Sequence, residues 1–339
     1  MKAELIQSIA LEMGLDLIGF TDAAPLNRIE NKVKDRVDKK LSTEFESKDI
    51  QKRIDPRGIM REANSIIVVG FPYFYEKFNG NNSFEHALYG KLSRSSWGID
   101  YHLVIRKYLQ RLVDELSQFE KFEYTIIADT SPLVDREIAY NAGIGYYGKN
   151  TSIINQTYGS FIFIGYILTN LYLDKYSTPI ESECGECDIC MRSCPGKAIE
   201  EPYKLNPKNC ISYLTQTKKY LDEQTSKKMG INIYGCDICQ IVCPKNKNIK
   251  ESFFEEFKPY KTNGIVDLKE ILFMSNKEFK SKYGDMSGSW RGKNVLVRNA
   301  IIALENMGYI DDDIIEFLTK NKSELLKPYI DRYITKFLS

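Results

Sequence analysis

The stretches CGECDICMRSCP (residues 184–195) and CDICQIVCP (residues 236–244) decide how this chain folds. The first has the spacing C-x₂-C-x₂-C-x₃-C-P, in which three cysteines bind one iron–sulfur cluster and the fourth binds a second cluster. The second stretch lacks its first cysteine, and the solitary Cys210 between the two stretches is the substitute. The eight cysteines of the chain form two Cys₄ sets with none left over, which predicts two [4Fe–4S] clusters and electron transfer.

The same pattern, which is that of bacterial ferredoxins, assigns ligands to each cluster. Structural zinc sites also use C-x₂-C pairs, but they have no use for a third cysteine two residues on or for the Cys-Pro. Disulfides would need an oxidising compartment, which nothing else in the sequence suggests. The predicted ligands are Cys184, Cys187, Cys190 and Cys243 for cluster 1, and Cys210, Cys236, Cys239 and Cys194 for cluster 2.

Composition is that of a soluble globular protein, with 43% hydrophobic and 27% charged residues among 339. The longest apolar run, FIFIGYIL at residues 161–168, is too short to span a bilayer. The N-terminus carries Glu4 and Glu12 in an amphipathic pattern and has no signal core, which predicts a cytoplasmic protein. A net charge of +1 gives no hint of a nucleic-acid partner, so such binding would need a local basic face.

The pattern of apolar residues divides the chain into three domains. Residues 1–175 alternate helices and strands, with strands at 65–70 and 124–129 and a long helix at 101–119, which predicts an α/β domain. Within them, residues 31–53 are charged and predict an exposed helix or a mobile cover. Residues 176–254 form the cysteine-rich domain. Residues 255–339 have no strand signal and predict a HEAT-like helical module.

Two further features resemble ligand motifs without meeting their requirements. The loop GIGYYGKN at residues 143–150 satisfies G-x-G-x-x-G, but it follows a predicted helix and precedes a predicted strand, the reverse of a phosphate-binding loop. It is therefore not expected to bind a nucleotide. His86 and His102 lie outside the Asp-x-His-x-x-Gly arrangement by which many cobalamin enzymes ligate cobalt, so both are expected to be ordinary polar residues.

Asp129 and a basic segment are the remaining candidates. Asp129 ends a predicted strand, and ligands bind at the carboxyl ends of strands in open α/β sheets. The aspartate is either a proton donor or the cap of a helix that begins at Pro132. The segment SWRGKNVLVRNA at residues 289–300 gathers basic and amide groups at a helix start, which suits either phosphate or a solvated face.

Taken together, these motifs resemble the epoxyqueuosine reductase family over nearly the whole chain. Any one of them alone would not be specific. Members of that family reduce the epoxide of epoxyqueuosine to queuosine at the wobble position of certain tRNAs, using cobalamin and two [4Fe–4S] clusters. The motifs are SRSSWGIDYH at residues 93–102, DTSPLVDR at 129–136, AGIGYYGKN at 142–150, the two cysteine stretches, WRGK at 290–293 and RNA at 298–300.

The resemblance implies a fold and partners. Residues 1–175 would form a cobalamin-binding α/β domain related to nitroreductases, residues 176–254 a ferredoxin-like domain, and residues 255–339 a HEAT-like module that helps hold the tRNA. A small electron donor such as flavodoxin or ferredoxin would reduce the clusters, and the protein would act as a monomer away from membranes.

The resemblance also implies residue roles. Asp129 resembles the family's proton donor. Some relatives have cysteine at the position of Ser93, and this chain has no thiol there. The implied cobalamin contacts are Arg53, Ser93, Asp129, Ile153 and Ser212, and the implied tRNA contacts are Lys219, Arg291, Lys293, Arg298 and Asn299.

Two other functional classes stay open. A reductive dehalogenase would share cobalamin and paired clusters, but such enzymes are usually exported with a twin-arginine signal and lack the helical C-terminus. A non-catalytic electron carrier of the ferredoxin type would not need residues 1–175 or the basic helical tail.

Overall fold

The computed structural model describes residues 1–76, 88–260 and 262–338, so the expectation for His86 lies outside the described residues. The helices are α1 (Ala3–Glu12), α2 (Glu30–Asp38), α3 (Ile50–Ile54), α4 (Tyr101–Leu116), α5 (Asp135–Asn141), α6 (Ile189–Ser193), α7 (Ile211–Leu214), α8 (Glu223–Met229), α9 (Ile238–Ile241), α10 (Leu268–Phe273), α11 (Asn276–Tyr283), α12 (Lys293–Met307), α13 (Asp312–Thr319) and α14 (Lys327–Leu338). The strands are β1 (Ile18–Asp22), β2 (Ser65–Pro72), β3 (Tyr89–Leu92), β4 (Tyr124–Ala128), β5 (Tyr146–Tyr147), β6 (Ile153–Ile154), β7 (Ile162–Thr169), β8 (Ile199–Glu201), β9 (Lys204–Leu205), β10 (Asn232–Tyr234) and β11 (Ile265–Asp267).

The N-terminal part is built on a sheet with strand order β1-β2-β7-β4. β2 is buried along its whole length because helices cover both faces of the sheet. Ile67 and Val69 face the core with α1 and α4, whereas Ile66 and Val68 face the core with α5 and residues 26–60. This two-sided burial explains why β2 is continuously apolar and does not alternate.

The pairing within this sheet differs from the sequence-based expectation. Every neighbouring pair in it is antiparallel. The rule that ligands bind at the carboxyl ends of strands describes parallel sheets, so it does not place a site at Asp129. That premise was wrong, and any role of Asp129 must be argued from its contacts.

A second sheet joins the three predicted domains. β3 pairs in parallel with β10 of the cysteine-rich segment and antiparallel with β11 of the C-terminal segment. A Cβ atom at Gly90 would lie 2.2 Å from Ile233 and 2.9 Å from Leu268, so only glycine lets the three strands meet here. β11 also corrects the expectation that residues 255–339 contain no strand; three residues are too short a run for a periodic signal.

The C-terminal helices share their core with the cysteine-rich segment. α12 is buried on nearly every side, and it contacts α8, α10, α14 and β10. Burial on nearly every side is typical of a helix at the centre of a domain. Asp311 caps α13, accepting a hydrogen bond from the backbone of Ile314 at 3.1 Å. The domain limits and the HEAT-like character of this module stay predictions.

Among the described residues, we find no helix with both the length and the apolar character that spanning a bilayer requires.

Candidate active site

The first predicted set of cysteines surrounds a single cavity. Its four members, Cys184, Cys187, Cys190 and Cys243, line a space of about 80 Å³. Nowhere in the described part of the chain do three or more histidine, cysteine or acidic side chains come close enough to hold a single metal ion. Four cysteine thiols around one space are the ligand set of a [4Fe–4S] cluster.

The second predicted set is also gathered in one place. Burial raises the pKa of Cys236 to about 12, and the neighbouring Cys210 and Cys194 act in the same direction. Burial and the same two thiols, together with Cys236, raise the pKa of Cys239. Cys190 of the first set also acts on Cys239, which places the two sets side by side. Buried thiols of this kind ionise when they bind a metal centre.

Tyr146 provides an independent test of whether a cluster fits the first cavity. Its side chain is 1% exposed and packs against Cys184 and Cys243. Its hydroxyl is buried and has no hydrogen-bond partner among the described residues. An unpaired buried hydroxyl is costly, and a cluster ligated by these thiolates would supply sulfur acceptors beside it. The residues therefore fit a cluster.

The glycine-rich loop lies against both sets of cysteines. It follows α5, contains the short strand β5 and precedes β6, so a helix comes before it and a strand after it, as the sequence predicts. Lys149 donates a hydrogen bond to the carbonyl oxygen of Gly185 at 2.5 Å, and the Asn150 side chain donates one to that of Cys239 at 3.3 Å. The loop thus fixes the cluster-binding segments on the N-terminal domain.

A larger cavity of about 620 Å³ lies between α2, α3, α5 and the segment from β9 to α7. Cys210 of the second set forms part of its wall, so an occupant of the cavity would lie next to cluster 2. The size is within the usual range for cofactor sites. The residues that line it include Arg28, Arg36, Phe45, Glu46, Arg53, Arg136, Leu205, Cys210, Ser212, Tyr213 and Gln216.

Ion pairs hold the charged residues of this cavity in place. The Arg28 guanidinium donates two hydrogen bonds, of 2.7 and 2.6 Å, to the buried carboxylate of Glu137. Glu46 accepts from Arg36 at 2.8 Å and from Arg53 at 3.0 Å. Although burial opposes the change, the hydrogen bonds and charge of Arg36 lower the pKa of Glu46 to about 2. The two arginines are therefore fixed on the wall near neutral pH.

The structure brings together only some of the implied cobalamin contacts. Arg53 and Ser212 both line the large cavity. Ser93 is buried elsewhere, and its hydroxyl donates to the Asp237 carboxylate at 2.5 Å. Ile153 is 3% exposed and packs in the core behind the cavity. Asp129 also lies off the cavity wall.

Asp129 is held in an unusual conformation next to two aromatic side chains. Its φ angle is +57°, a left-handed conformation that costs a non-glycine residue about 1–3 kcal/mol and clusters at functional sites. Its side chain is 59% exposed; the Tyr101 hydroxyl donates to it, and His102 Nε2 lies 3.8 Å away. It does not cap α5, whose first flanking residue is Val134. The helix-cap alternative is therefore wrong, and the role of Asp129 as a proton donor stays a prediction.

His102 is a site residue that the sequence reasoning missed. Its ring stacks on Tyr101 at 4.1 Å, and its Nδ1 lies 2.6 Å from the carboxylate of Asp100. Asp100 and His102 flank Tyr101 in the sequence, and this triplet at a helix start was the available signal. The Asp100 carboxylate and the stacked Tyr101 ring thus hold the His102 side chain near Asp129.

A second carboxyl group, that of Asp135, is buried near Asp129. Asp135 accepts a hydrogen bond from Tyr166 at 2.8 Å, and the Tyr166 hydroxyl is 3.0 Å from that of Ser131. Burial, followed by the charge of Asp129, raises the pKa of Asp135 to about 7. A buried carboxyl group whose pKa is raised toward neutrality can take part in acid–base chemistry.

The structure corrects two of the predicted tRNA contacts. Arg298 and Asn299 are both 0% exposed, so neither is available to tRNA. Arg298 donates to the carbonyl oxygens of Leu214 and Thr217, and Asn299 donates to those of Thr215 and Ile233. Both residues face inward from α12 and satisfy backbone groups of the cysteine-rich segment.

This buried arginine gives a stability prediction. We expect Arg298→Met to lower the free energy of unfolding by about 3 kcal/mol or more, because two buried carbonyl oxygens lose a charged donor. Urea unfolding followed by circular dichroism measures the change. Arg111→Met, at an exposed position on α4, is the matched control and should change stability by less than about 0.5 kcal/mol. Equal effects would show that the internal hydrogen bonds of Arg298 do not stabilise the fold.

The other predicted tRNA contacts remain at or near the surface. Lys219 is 64% exposed and lies 3.8 Å from Glu44. Arg291 donates to the carbonyl oxygen of Gln216 at 2.7 Å while its guanidinium stays partly open. Lys293 donates to the carbonyl oxygen of Met274, and burial lowers its pKa. Of the three, Lys219 and Arg291 are the better placed for a ligand.

Comparison with known proteins assigns the family. Residues 183–246 match the family model of the 4Fe-4S double cluster binding domain, and residues 53–130 match that of epoxyqueuosine reductase QueG. The epoxyqueuosine reductase of Lactococcus garvieae (strain Lg2) is 38% identical over 304 residues, which cover 89% of this chain and 86% of the relative. The chain belongs to the epoxyqueuosine reductase family.

Solved epoxyqueuosine reductases share the whole fold. The Streptococcus thermophilus enzyme matches with a TM-score of 0.90 at 35% identity, covering 100% of this chain and 91% of that one. A structure with an epoxyqueuosine-modified tRNA-Tyr stem-loop matches with a TM-score of 0.90 at 33% identity, covering 99% and 98%. In a Bacillus subtilis structure, at 35% identity with a TM-score of 0.89 and coverage of 98% and 89%, an aspartate catalytic loop is swung out of the active site. The predicted family and oxidoreductase class are confirmed.

Proposed function

We propose that this protein reduces epoxyqueuosine to queuosine in the anticodon loop of tRNA, with electrons supplied through two [4Fe–4S] clusters and with cobalamin in the large cavity. The observation that carries the proposal is the position of Cys210, which belongs to the second cysteine set and also lines that cavity. A ligand of cluster 2 thus contacts the same space as Arg53 and Ser212.

The chemistry of the cavity wall supports a large cofactor rich in amide groups. Arg53, Ser212 and Gln216 offer hydrogen-bonding groups on the wall, and apolar side chains such as Leu205 line it as well. Cobalamin, when bound, supplies a reduced cobalt centre that acts as a strong nucleophile and reductant. The fixed pairs of Glu46 with Arg36 and Arg53 would shape the cavity before the cofactor enters.

The residues of this chain supply the proton and the electron path. Converting an epoxide to an alkene releases its oxygen as water and consumes two electrons and two protons. Asp129 would give a proton to that oxygen as the C–O bond breaks, because an alkoxide without a partner is costly away from water. Tyr101 and His102 hold Asp129 in position. Electrons would enter from a small donor such as flavodoxin or ferredoxin at cluster 1, because cluster 2 borders the cavity.

The direct test is an anaerobic assay with a chemical reductant, cobalamin and tRNA that contains epoxyqueuosine. Mass spectrometry of the digested nucleosides should show the loss of one oxygen, and this loss should require cobalamin. If both clusters are intact and reduced and no oxygen is lost, the proposal fails and a different electron acceptor must be sought.

The cofactor assignment can be tested without turnover. Leu205→Trp places a large ring on the cavity wall and should lower the affinity for cobalamin at least about tenfold, since a filled pocket leaves the corrin no room. Binding is measured by equilibrium dialysis with absorbance detection. Iron content should not change, and Leu11→Trp, at an exposed position on α1, should bind cobalamin like the wild type. Undiminished binding by Leu205→Trp would place cobalamin elsewhere.

A further inference from the structure

Aromatic side chains from three distant parts of the sequence meet beside the large cavity. Phe45 comes from the connection between α2 and α3, Tyr213 from α7, and Trp290 from the segment that precedes α12. The Phe45 ring is 5.8 Å from that of Tyr213 and 5.6 Å from that of Trp290, both edge to face. The Arg291 guanidinium carbon lies 5.0 Å from the Phe45 ring centre and 4.7 Å from that of Trp290. We call these four residues the aromatic platform.

Polar contacts fix the platform in one arrangement. The Trp290 indole N–H donates to the Tyr234 hydroxyl at 3.3 Å. The Tyr213 hydroxyl donates to Glu44 at 2.6 Å, next to Phe45. The hydrogen bond from Arg291 to the carbonyl oxygen of Gln216 holds the guanidinium over the two rings. A surface fixed in this way loses little conformational freedom when a ligand binds.

Two members of the platform are exposed although they are apolar. Trp290 is 55% exposed and Phe45 is 42% exposed, whereas the other tryptophan, Trp97, is 7% exposed. A flat, exposed ring with a guanidinium on it suits an unpaired nucleobase, which stacks on aromatic and arginine planes. Lys218 and Lys219 follow Tyr213 closely in the sequence. Both are exposed and would attract phosphate groups.

The platform is continuous with the site of the proposed reaction. Tyr234, which accepts the indole hydrogen bond of Trp290, also donates to Gln216 on the cavity wall at 3.2 Å. Hydrogen bonds therefore link the platform to the cavity wall.

We propose that the aromatic platform stacks an unpaired base of the tRNA anticodon loop that lies next to the nucleotide being reduced. The inference rests on the proposed function, since it takes the ligand to be an anticodon loop. Stacking of a neighbouring base would anchor the loop while the modified base enters the cavity. Trp290 is thus a positioning residue whose contribution does not depend on charge.

The test measures the affinity of the full-length protein, with its clusters, for a labelled anticodon stem-loop RNA by fluorescence anisotropy. Trp290→Ala should raise the Kd about tenfold, the usual effect of removing one stacked base contact. Trp290→Phe keeps a flat ring and should stay within about threefold of the wild type. Tyr172→Ala removes an aromatic side chain that is 75% exposed and lies outside the platform, and it should change nothing.

A second series removes one loop base at a time from the RNA. One abasic position should weaken binding to the wild type about tenfold and should have little further effect on Trp290→Ala, because ring and base form a single contact. The slope of log Kd against log salt should be the same for Trp290→Ala and the wild type, since stacking releases no counterions. This series identifies the stacked base even if Trp290→Ala lowers stability.

The outcomes separate this inference from the proposed function. If Trp290→Ala binds within about twofold of the wild type, or if each abasic RNA loses the same affinity with both proteins, the platform does not stack a base. The proposed function would be unaffected by that result, provided that the wild type still removes the epoxide oxygen. A wild type that binds the stem-loop but removes no oxygen would contradict the proposed function instead.

Discussion

Asp129→Asn should lower turnover about 10²–10⁴-fold while iron content and cobalamin binding stay at the wild-type level. Asparagine preserves the size of the side chain and still tolerates the left-handed conformation at φ +57°, so the backbone need not move. It cannot give up a proton to the epoxide oxygen. The measurement is single-turnover conversion of modified tRNA under anaerobic conditions, which separates the chemical step from product release.

Two further variants make this result interpretable. Asp114→Asn alters another carboxylate, on the surface of α4, and should leave turnover unchanged. Asp135→Asn removes the second carboxyl group, whose pKa is raised to about 7 mainly by burial. If Asp135→Asn lost the activity and Asp129→Asn kept it, the buried carboxyl would be the proton donor. Unchanged turnover in both would remove this acid–base pair from the mechanism.

The parts of the fold that the sequence predicted well are those set by local spacing. The two cysteine stretches carry the cluster-binding pattern within a few residues each, and Ile66 to Val69 carry two-sided burial in an unbroken apolar run. The long helix α4 was predictable because its buried apolar residues recur at helical spacing. Such patterns depend only on near neighbours in the chain, which is why sequence alone reveals them.

The features that sequence reasoning missed depend on contacts between distant residues. Arg298 is a residue type that often binds phosphate, and its sequence neighbours gave no sign that it is buried. In the structure its guanidinium donates hydrogen bonds to carbonyl oxygens of α7 and of the segment after it. Whether a sheet is parallel depends on the path of the chain between strands, so the antiparallel pairing of β4 with β7 could not be inferred from β4. Likewise, Phe45 and Trp290 lie far apart in the sequence, and only the fold shows that they form one surface.

The crossed assignment of cluster ligands predicts that single cysteine variants lose one whole cluster. We expect Cys243→Ala and Cys194→Ala each to lose about half of the iron, because a thiolate that ligates one cluster is removed in each case. Turnover should fall below detection in both, since electrons must pass both clusters to reach the large cavity. Iron analysis and electron paramagnetic resonance of the reduced proteins measure these losses.

Comparison with one further variant from each set decides whether the ligands cross. With crossed ligands, the spectrum of Cys243→Ala should match that of Cys184→Ala, because both lose cluster 1 and keep cluster 2. The spectrum of Cys194→Ala should match that of Cys210→Ala for the converse reason. If instead Cys243→Ala resembled Cys210→Ala, the ligands would not cross: the first stretch would hold one cluster alone, and Cys210 with the second stretch would hold the other. The ring of Cys184, Cys187, Cys190 and Cys243 around one cavity argues for the crossed arrangement, in which folding of both stretches together is needed to complete either cluster.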